Sequence, residues 1–248
     1  MIEIINLAKS FNSHSVLRGV NLTVREGETM VVIGRSGCGK SVLLKHIVGL
    51  LLPDQGQVIV DGYEVSRSGS SLKEVRLRLG MLFQGAALFD SLTVGENIAF
   101  PLREHTSMSE EEIRGRVQEC LEMVGLGGSE NLKSAELSGG MKKRAGLARA
   151  LAMQPRIILY DEPTTGVDPV MADTINRLIK RLRDRLKVTS VVVTHDMVSA
   201  YNVADRIAML HEGRITQVGT VEEIRSTTNP VVRQFILGMS ENGEEVVR

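Results

Sequence analysis

A chain of 248 residues can bury a sizeable core and suits one large α/β domain or a core with a subdomain. Its 30 Lys and Arg against 30 Asp and Glu cancel, so no global basic field points to nucleic acid. Its two cysteines argue against a disulfide framework or a thiolate metal cluster.

No apolar run approaches the roughly 20 residues of a membrane-spanning helix. Glu3 lies within the first strand and no basic start precedes an apolar core, so no signal peptide is expected. The sequence predicts a chain soluble by itself, with any membrane role coming through a partner. It shows no internal repeat and no low-complexity segment.

In chain order, Ile2 to Leu7 and Val20 to Val24 read as short strands, and Glu26-Gly27-Glu28 as a turn into Thr29–Ile33. That last run is continuously apolar, as expected of a strand buried on both faces. Leu43, Leu44, Ile47, Val48 and Leu51 then recur at helical spacing. Residues 56–62 form another strand bounded by glycines, 64–76 a serine-rich loop leading into a helix, and Leu79 to Gln84 a strand with a polar end. From about 86 to 152 the pattern is helical. Ser109-Glu110-Glu111-Glu112 is a capping box, followed by Ile113, Val117, Cys120, Leu121 and Val124 in phase. A second helix follows Leu137-Ser138-Gly139-Gly140 and runs through Ala145, Leu147, Ala148 and Leu151.

Strand and helix alternate afterwards: Ile157 to Tyr160, a helix with Met171, Ile175, Leu178, Ile179, Leu182 and Leu186 in phase, then Val188 to Thr194. Such alternation implies βαβ units and a mostly parallel sheet. Ile207 to Leu210 and Ile215 to Val218 form a closing hairpin through Glu212-Gly213. The tail opens with Asn229-Pro230 and places Val231, Val232, Phe235, Ile236 and Met239 on one face, to pack on its own domain or on a partner. Residues 240–248 read as a polar, frayed end.

Between the buried strand and the first helix lies Gly34-Arg35-Ser36-Gly37-Cys38-Gly39-Lys40-Ser41, followed by Val42. It fits G-x-x-x-x-G-K-[ST], and strand, glycine loop and helix come in the order a phosphate cradle needs. Glycines let backbone N–H groups approach an anion, and the helix N-terminus adds partial positive charge. Lys40 is placed to reach the β- and γ-phosphates and the Ser41 hydroxyl to ligate Mg²⁺. Cys38 inside the loop reads as a small filler, and Cys120 as core.

A second acidic signal ends a buried strand at Ile157-Ile158-Leu159-Tyr160-Asp161-Glu162. Asp161 is expected to hold Mg²⁺, directly or through water, and Glu162 to orient and deprotonate an attacking water. In-line attack on a γ-phosphate needs positioning and charge neutralisation more than covalent chemistry.

Together with Leu137-Ser138-Gly139-Gly140, Glu162-Pro163-Thr164-Thr165-Gly166-Val167-Asp168-Pro169 and Thr194-His195-Asp196, these motifs make the chain resemble the nucleotide-binding subunit of ABC transporters over essentially its whole length. The resemblance implies a P-loop (RecA-like) α/β core with a mostly parallel sheet, an N-terminal antiparallel β subdomain and an inserted α-helical subdomain. Residues 1–240 would then be one ATPase domain, with the insert at about 86–152, and 229–248 a C-terminal helix and polar tail. It implies ATP and Mg²⁺ as ligands, Gln84 as the Q-loop residue touching Mg²⁺ and water, and His195 as the switch histidine on the γ-phosphate. Phe11 would stack on adenine, although a lone aromatic is more often core. Asp168 would belong to the loop that links two sites.

Leu137 to Met141 would act in trans, in an ATP-sandwich dimer of two head-to-tail copies, because the anion site opening that helix cannot reach its own chain's phosphate loop in that architecture. Met141 stands where the family usually carries glutamine, so a thioether replaces an amide donor. Leu137-Ser-Gly-Gly-Met141-Lys-Lys-Arg144, Phe83 to Asn97 and Pro101-Leu-Arg-Glu-His105 are similar to the Mla, MCE-type phospholipid-transport ATPases. Those imply a peripheral place on the cytoplasmic face of a bacterial inner membrane, an MlaE-like permease partner and, indirectly, a periplasmic MCE lipid-binding protein. An ABC subunit for another solute and a soluble ATPase of iron–sulfur assembly share the motifs. A nucleic-acid partner is not expected.

Overall fold

In the computed structural model of the chain, residues 1–65 and 69–239 are described. The strands are β1 (Ile2–Phe11), β2 (His14–Val24), β3 (Thr29–Ile33), β4 (Gln55–Val60), β5 (Tyr63–Glu64), β6 (Leu79–Leu82), β7 (Ile157–Asp161), β8 (Thr189–Thr194), β9 (Arg206–His211) and β10 (Arg214–Thr220). The helices are α1 (Lys40–Ile47), α2 (Gly69–Leu77), α3 (Val94–His105), α4 (Glu110–Met123), α5 (Gly139–Leu151), α6 (Pro169–Leu186), α7 (Met197–Val203), α8 (Val221–Arg225) and α9 (Pro230–Ile236). They fall into two compact units, Met1–Val75 with Val191–Arg248, and Arg76–Ser190.

The first unit holds an antiparallel sheet in the order β2-β1-β4-β5 and the strand order β10-β9-β3-β8. β3 runs parallel to β9, with Met30 opposite Arg206 and Ile33 opposite Met209, while β10 pairs antiparallel with β9. Every residue of β3 is buried, as its unbroken apolar run requires. β3 is anchored where it begins: the Thr29 N–H donates to the Asp205 carboxylate at 2.8 Å and the Asp205 N–H to the Thr29 carbonyl at 2.9 Å.

In the second unit β6 lies parallel to β7, Leu79 opposite Ile157 and Leu82 opposite Tyr160. α5 packs against β6, and α3 and α4 pack on α5 and on each other; their apolar faces bury Ile98 and Leu102, Ile113, Cys120 and Leu121, and Ala145, Leu147 and Leu151. Arg116 of α4 closes the end of α5, donating to the Leu151 carbonyl at 2.6 Å, which also accepts from the Gln154 N–H at 3.0 Å, and to the Ala152 carbonyl at 3.0 Å.

Several boundaries differ from the sequence reading. β1 extends to Phe11 and β2 starts at His14, because the polar residues at their tips pair across one hairpin. α1 stops at Ile47 and the chain turns at Gly49, so Leu51 lies beyond the helix. α2 already occupies the serine-rich stretch from Gly69, and residues 66–68 lie outside the described residues. β6 ends at Leu82, so Gln84 stands in the following turn rather than at the strand's end; the Ala86 N–H donates to the Phe83 carbonyl at 2.9 Å, and Ala86 and Ala87 are left-handed (φ 60° and 50°). α9 ends at Ile236, leaving Met239 outside it; Val232 is fully buried, and the helix packs on α8 of its own unit. Residues 240–248 lie outside the described residues.

Candidate functional site

The glycine loop leaves the buried end of β3 and enters α1 at Gly39, whose backbone is left-handed (φ 106°, ψ 8°). A Cβ there would stand 2.9 Å from Leu17 Cδ2 and 3.1 Å from Val16 Cγ1 of β2, so both conformation and space demand glycine. Gly39 offers no side-chain cap, and the first turn of α1 holds no acidic residue. No carboxylate of the first turn therefore offsets the positive end of this helix.

Within the loop, the Cys38 N–H donates to the Arg35 carbonyl at 3.3 Å. Arg35, Ser36 and Gly37 are exposed, Cys38, Ser41 and Val42 half-buried, and Gly34 buried. Lys40 is only 6% exposed, and its ammonium donates to the carbonyls of Gly34 at 2.7 Å and Arg35 at 3.2 Å. A cation is thus held inside the loop, where it adds to the attraction for an anion.

Two other predicted residues belong to this unit. Phe11 ends β1, paired with His14, and is 41% exposed, which removes the core alternative; the Lys9 ammonium lies 5.7 Å from its ring centroid. His195 stands exposed just after β8, the neighbour of β3 in the strand order. Asp196 caps α7, accepting from the N–H groups of Val198 at 3.0 Å and Ser199 at 3.3 Å.

The second unit carries the remaining predicted residues. Because β6 and β7 are parallel neighbours, Gln84 and the Asp161-Glu162 pair stand at the carboxyl ends of adjacent strands, where open α/β sheets place ligands. Gln84 is exposed, whereas Asp161 and Glu162 are 6% and 7% exposed. Glu162 is left-handed (φ 48°), uncommon for a residue with a side chain. Thr165 braces it twice, its N–H on the Glu162 carbonyl at 3.3 Å and its hydroxyl on Glu162 Oε2 at 3.1 Å.

Ser138 caps α5, its hydroxyl accepting from the Met141 N–H at 3.3 Å, and Gly139 and Gly140 form the helix's first turn with no acid among them. A Cβ on Gly140 would stand 2.6 Å from Met171 Sδ, so glycine there lets α6 approach. Leu137 is buried and Met141 half-buried. Asp168 caps α6 through the N–H groups of Val170 at 3.0 Å and Met171 at 2.9 Å. The stretch 137–141 and the loop ending at Asp168 are therefore neighbours within one unit.

Sequence reasoning missed Lys143. It lies on α5 one turn beyond Gly140, is 6% exposed, and donates to the backbone carbonyls of both Gln84 and Glu162. Burial lowers its pKa, and the charges of Asp161 and Glu162 oppose that shift. Further along the same face, Arg149 donates to the carbonyls of Ala86 at 3.0 Å and Ala87 at 2.7 Å. The sole signal in the sequence was the Lys142-Lys143 pair beside the glycines.

A family model described as "ABC transporter" matches residues 17–165. The chain is 45% identical to the "Probable ribonucleotide transport ATP-binding protein mkl" of Mycobacterium tuberculosis, over 98% of this chain and 70% of that one. It is 43% identical to the "Intermembrane phospholipid transport system ATP-binding protein MlaF" of Haemophilus influenzae, over 97% of this chain and 92% of that one. Among solved structures, the "Dimeric structure of a post-hydrolysis state of the ATP-binding cassette MJ0796 bound to ADP and Pi" superposes with a TM-score of 0.82 at 36% identity, covering 89% of this chain and 99% of that one.

Proposed function

Because the chain belongs to the ABC transporter family, and hydrolyses ATP as that family's cassette does, we propose that it powers the movement of phospholipid between the inner and outer membranes of a bacterium. The observation that carries the cargo is the likeness to the phospholipid-transport relative, 43% identical over nearly the full length of both chains. The ribonucleotide-transport relative supports a second reading, the same engine serving another solute, since an ATPase subunit need not touch cargo.

We assign the residues the following roles, which their placement supports. The N-terminus of α1, the loop amides and the Lys40 ammonium bind the phosphates of ATP. Phe11 stacks on the adenine, its exposed ring at the hairpin tip leaving a face for it. Glu162, fixed by its braced backbone, takes the proton of the attacking water, and His195 contacts the γ-phosphate.

Ser41, Asp161 and Gln84 supply hydroxyl, carboxylate and amide oxygens, a hard donor set that suits Mg²⁺. When bound, Mg²⁺ neutralises charge on those phosphates.

The acid-free N-terminus of α5, with Ser138, Gly139 and Gly140, is offered to the ATP held by a second copy, so nucleotide joins the two chains and hydrolysis parts them. Among the described residues no helix is long and apolar enough to cross a membrane. An MlaE-like permease tethers the chain to the cytoplasmic face of the inner membrane, and a periplasmic MCE protein receives or supplies the lipid. The 1–240 stretch acts as one ATPase domain with its helical insert.

The test is affinity purification of the tagged chain from detergent-solubilised membranes, with mass spectrometry of proteins and lipids. The expected result is an MlaE-like permease, an MCE protein and glycerophospholipid. A permease with another solute would keep the engine and discard the cargo.

A further inference from the structure

The α5 helix does more than present its N-terminus. One of its faces, through Lys143, Gly146 and Arg149, holds the turn that contains Gln84. A Cβ on Gly146 would stand 3.1 Å from both the Ala86 carbonyl oxygen and Ala86 Cβ, so this helix lies directly on the turn. Arg149 satisfies the carbonyls of two successive left-handed alanines. Lys143 adds a contact of another kind, because its second acceptor is the carbonyl of Glu162 at 3.2 Å, in a different segment.

We propose that Lys143 is a positioning residue for hydrolysis: its ammonium clamps the left-handed backbone of Glu162 to the backbone of Gln84, so the Glu162 carboxylate is aimed before a water arrives. The inference rests on the reading of Glu162 as the base. Three observations support it. First, a residue with a side chain holds the left-handed conformation only when its surroundings impose it, and Lys143 and Thr165 both donate to the same Glu162 carbonyl. Second, the ammonium is nearly inaccessible, and a buried cation is retained only where carbonyls and charges compensate its desolvation, as the two backbone oxygens and the Asp161 and Glu162 carboxylates do here. Third, its second tie is to the main chain of Gln84, so the clamp does not depend on the Gln84 side chain.

A shift of this clamp moves Gln84 and Glu162 together, and Lys143 sits one turn from Ser138, Gly139 and Gly140. The arrangement therefore links the N-terminus of α5 to the aim of Glu162 within one chain.

The full chain is purified as wild type, Lys143→Met, Lys143→Arg and Glu162→Gln, and kcat, KM and ATP affinity are measured separately. Loss of the clamp is expected to lower kcat in Lys143→Met by roughly 30-fold, the scale of a small misplacement of a reacting group, with ATP affinity changed by less than about threefold. Lys143→Arg, which keeps the cation and its donors, is expected to recover most of kcat. Adding Lys143→Met to Glu162→Gln should cost nothing further, because both act on one group.

A kcat for Lys143→Met within about threefold of wild type, while Glu162→Gln is inactive, overturns the assignment. Undiminished turnover in Glu162→Gln instead removes the reading of Glu162 as base, and the assignment with it. Should Lys143→Met fail to fold, Lys143→Gln carries the same test with a neutral donor: an intermediate kcat at unchanged ATP affinity supports the clamp, and a wild-type kcat overturns it.

Discussion

The helices α1 and α4 begin in opposite ways. At α4 the Ser109 hydroxyl accepts from the Glu112 N–H, the Glu112 carboxylate accepts from the Ser109 N–H at 2.7 Å, and three consecutive glutamates sit in the first turn. At α1 the cap is a glycine without a side chain, no acid follows, and a lysine occupies the first helical position. One terminus carries the chain's own negative charge; the other carries none and suits an external anion. The same hydrogen-bond chemistry thus gives stability at one site and binding at the other, and the choice lies in two or three side chains. The start of α5 lies between them, capped by a neutral serine and carrying no acid.

Three substitutions break or sharpen this contrast. The largest effect is expected from Ser41→Asp, which gives α1 the acidic first turn of α4. The new carboxylate repels the phosphates, and isothermal titration should show ATP affinity falling by roughly 100-fold or more. Undiminished affinity would mean that the absence of a carboxylate at this terminus is not what admits the phosphates. Next is Ser138→Arg, which replaces the neutral cap of α5 with a long cation. Steady-state hydrolysis should fall by about 30-fold or more while a single chain binds ATP as before, since the damaged half of the site belongs to the facing copy. The smallest is Ser109→Ala, which should lower unfolding free energy by about 1 kcal/mol in urea and leave hydrolysis untouched. A loss of turnover there would erase the division between acidic and acid-free termini.

The acidic terminus and the glycine loop were both legible in sequence, because each is written in adjacent residues. Ser109 with Glu112, and Gly34 to Ser41 after an apolar run, carry their geometry in their spacing. What could not be read is what distant segments impose. Lys143 looks like any lysine on an amphipathic helix until the Gln84 turn and the segment after β7 that carries Glu162 close around it. The left-handed backbone of Glu162 has no local signal, since glutamate is an ordinary helix or loop residue. Leu51 continued the helical period of α1, yet the turn at Gly49 ended the helix first. The polar tips of β1 and β2 lacked apolar alternation and were lengthened by pairing with each other. Gln84 was placed at the end of an apolar run, whereas the ladder with β7 stops at Leu82.

The strained backbone at Glu162 sets a limit on how this chain can be improved in the laboratory. Glycine adopts that conformation freely, whereas a side chain there carries a steric penalty on the order of 1 kcal/mol. A directed-evolution campaign that rewarded only survival at high temperature would favour glycine at this position and discard the carboxylate. Selection on heat resistance and selection on work done would pull the same codon in different directions.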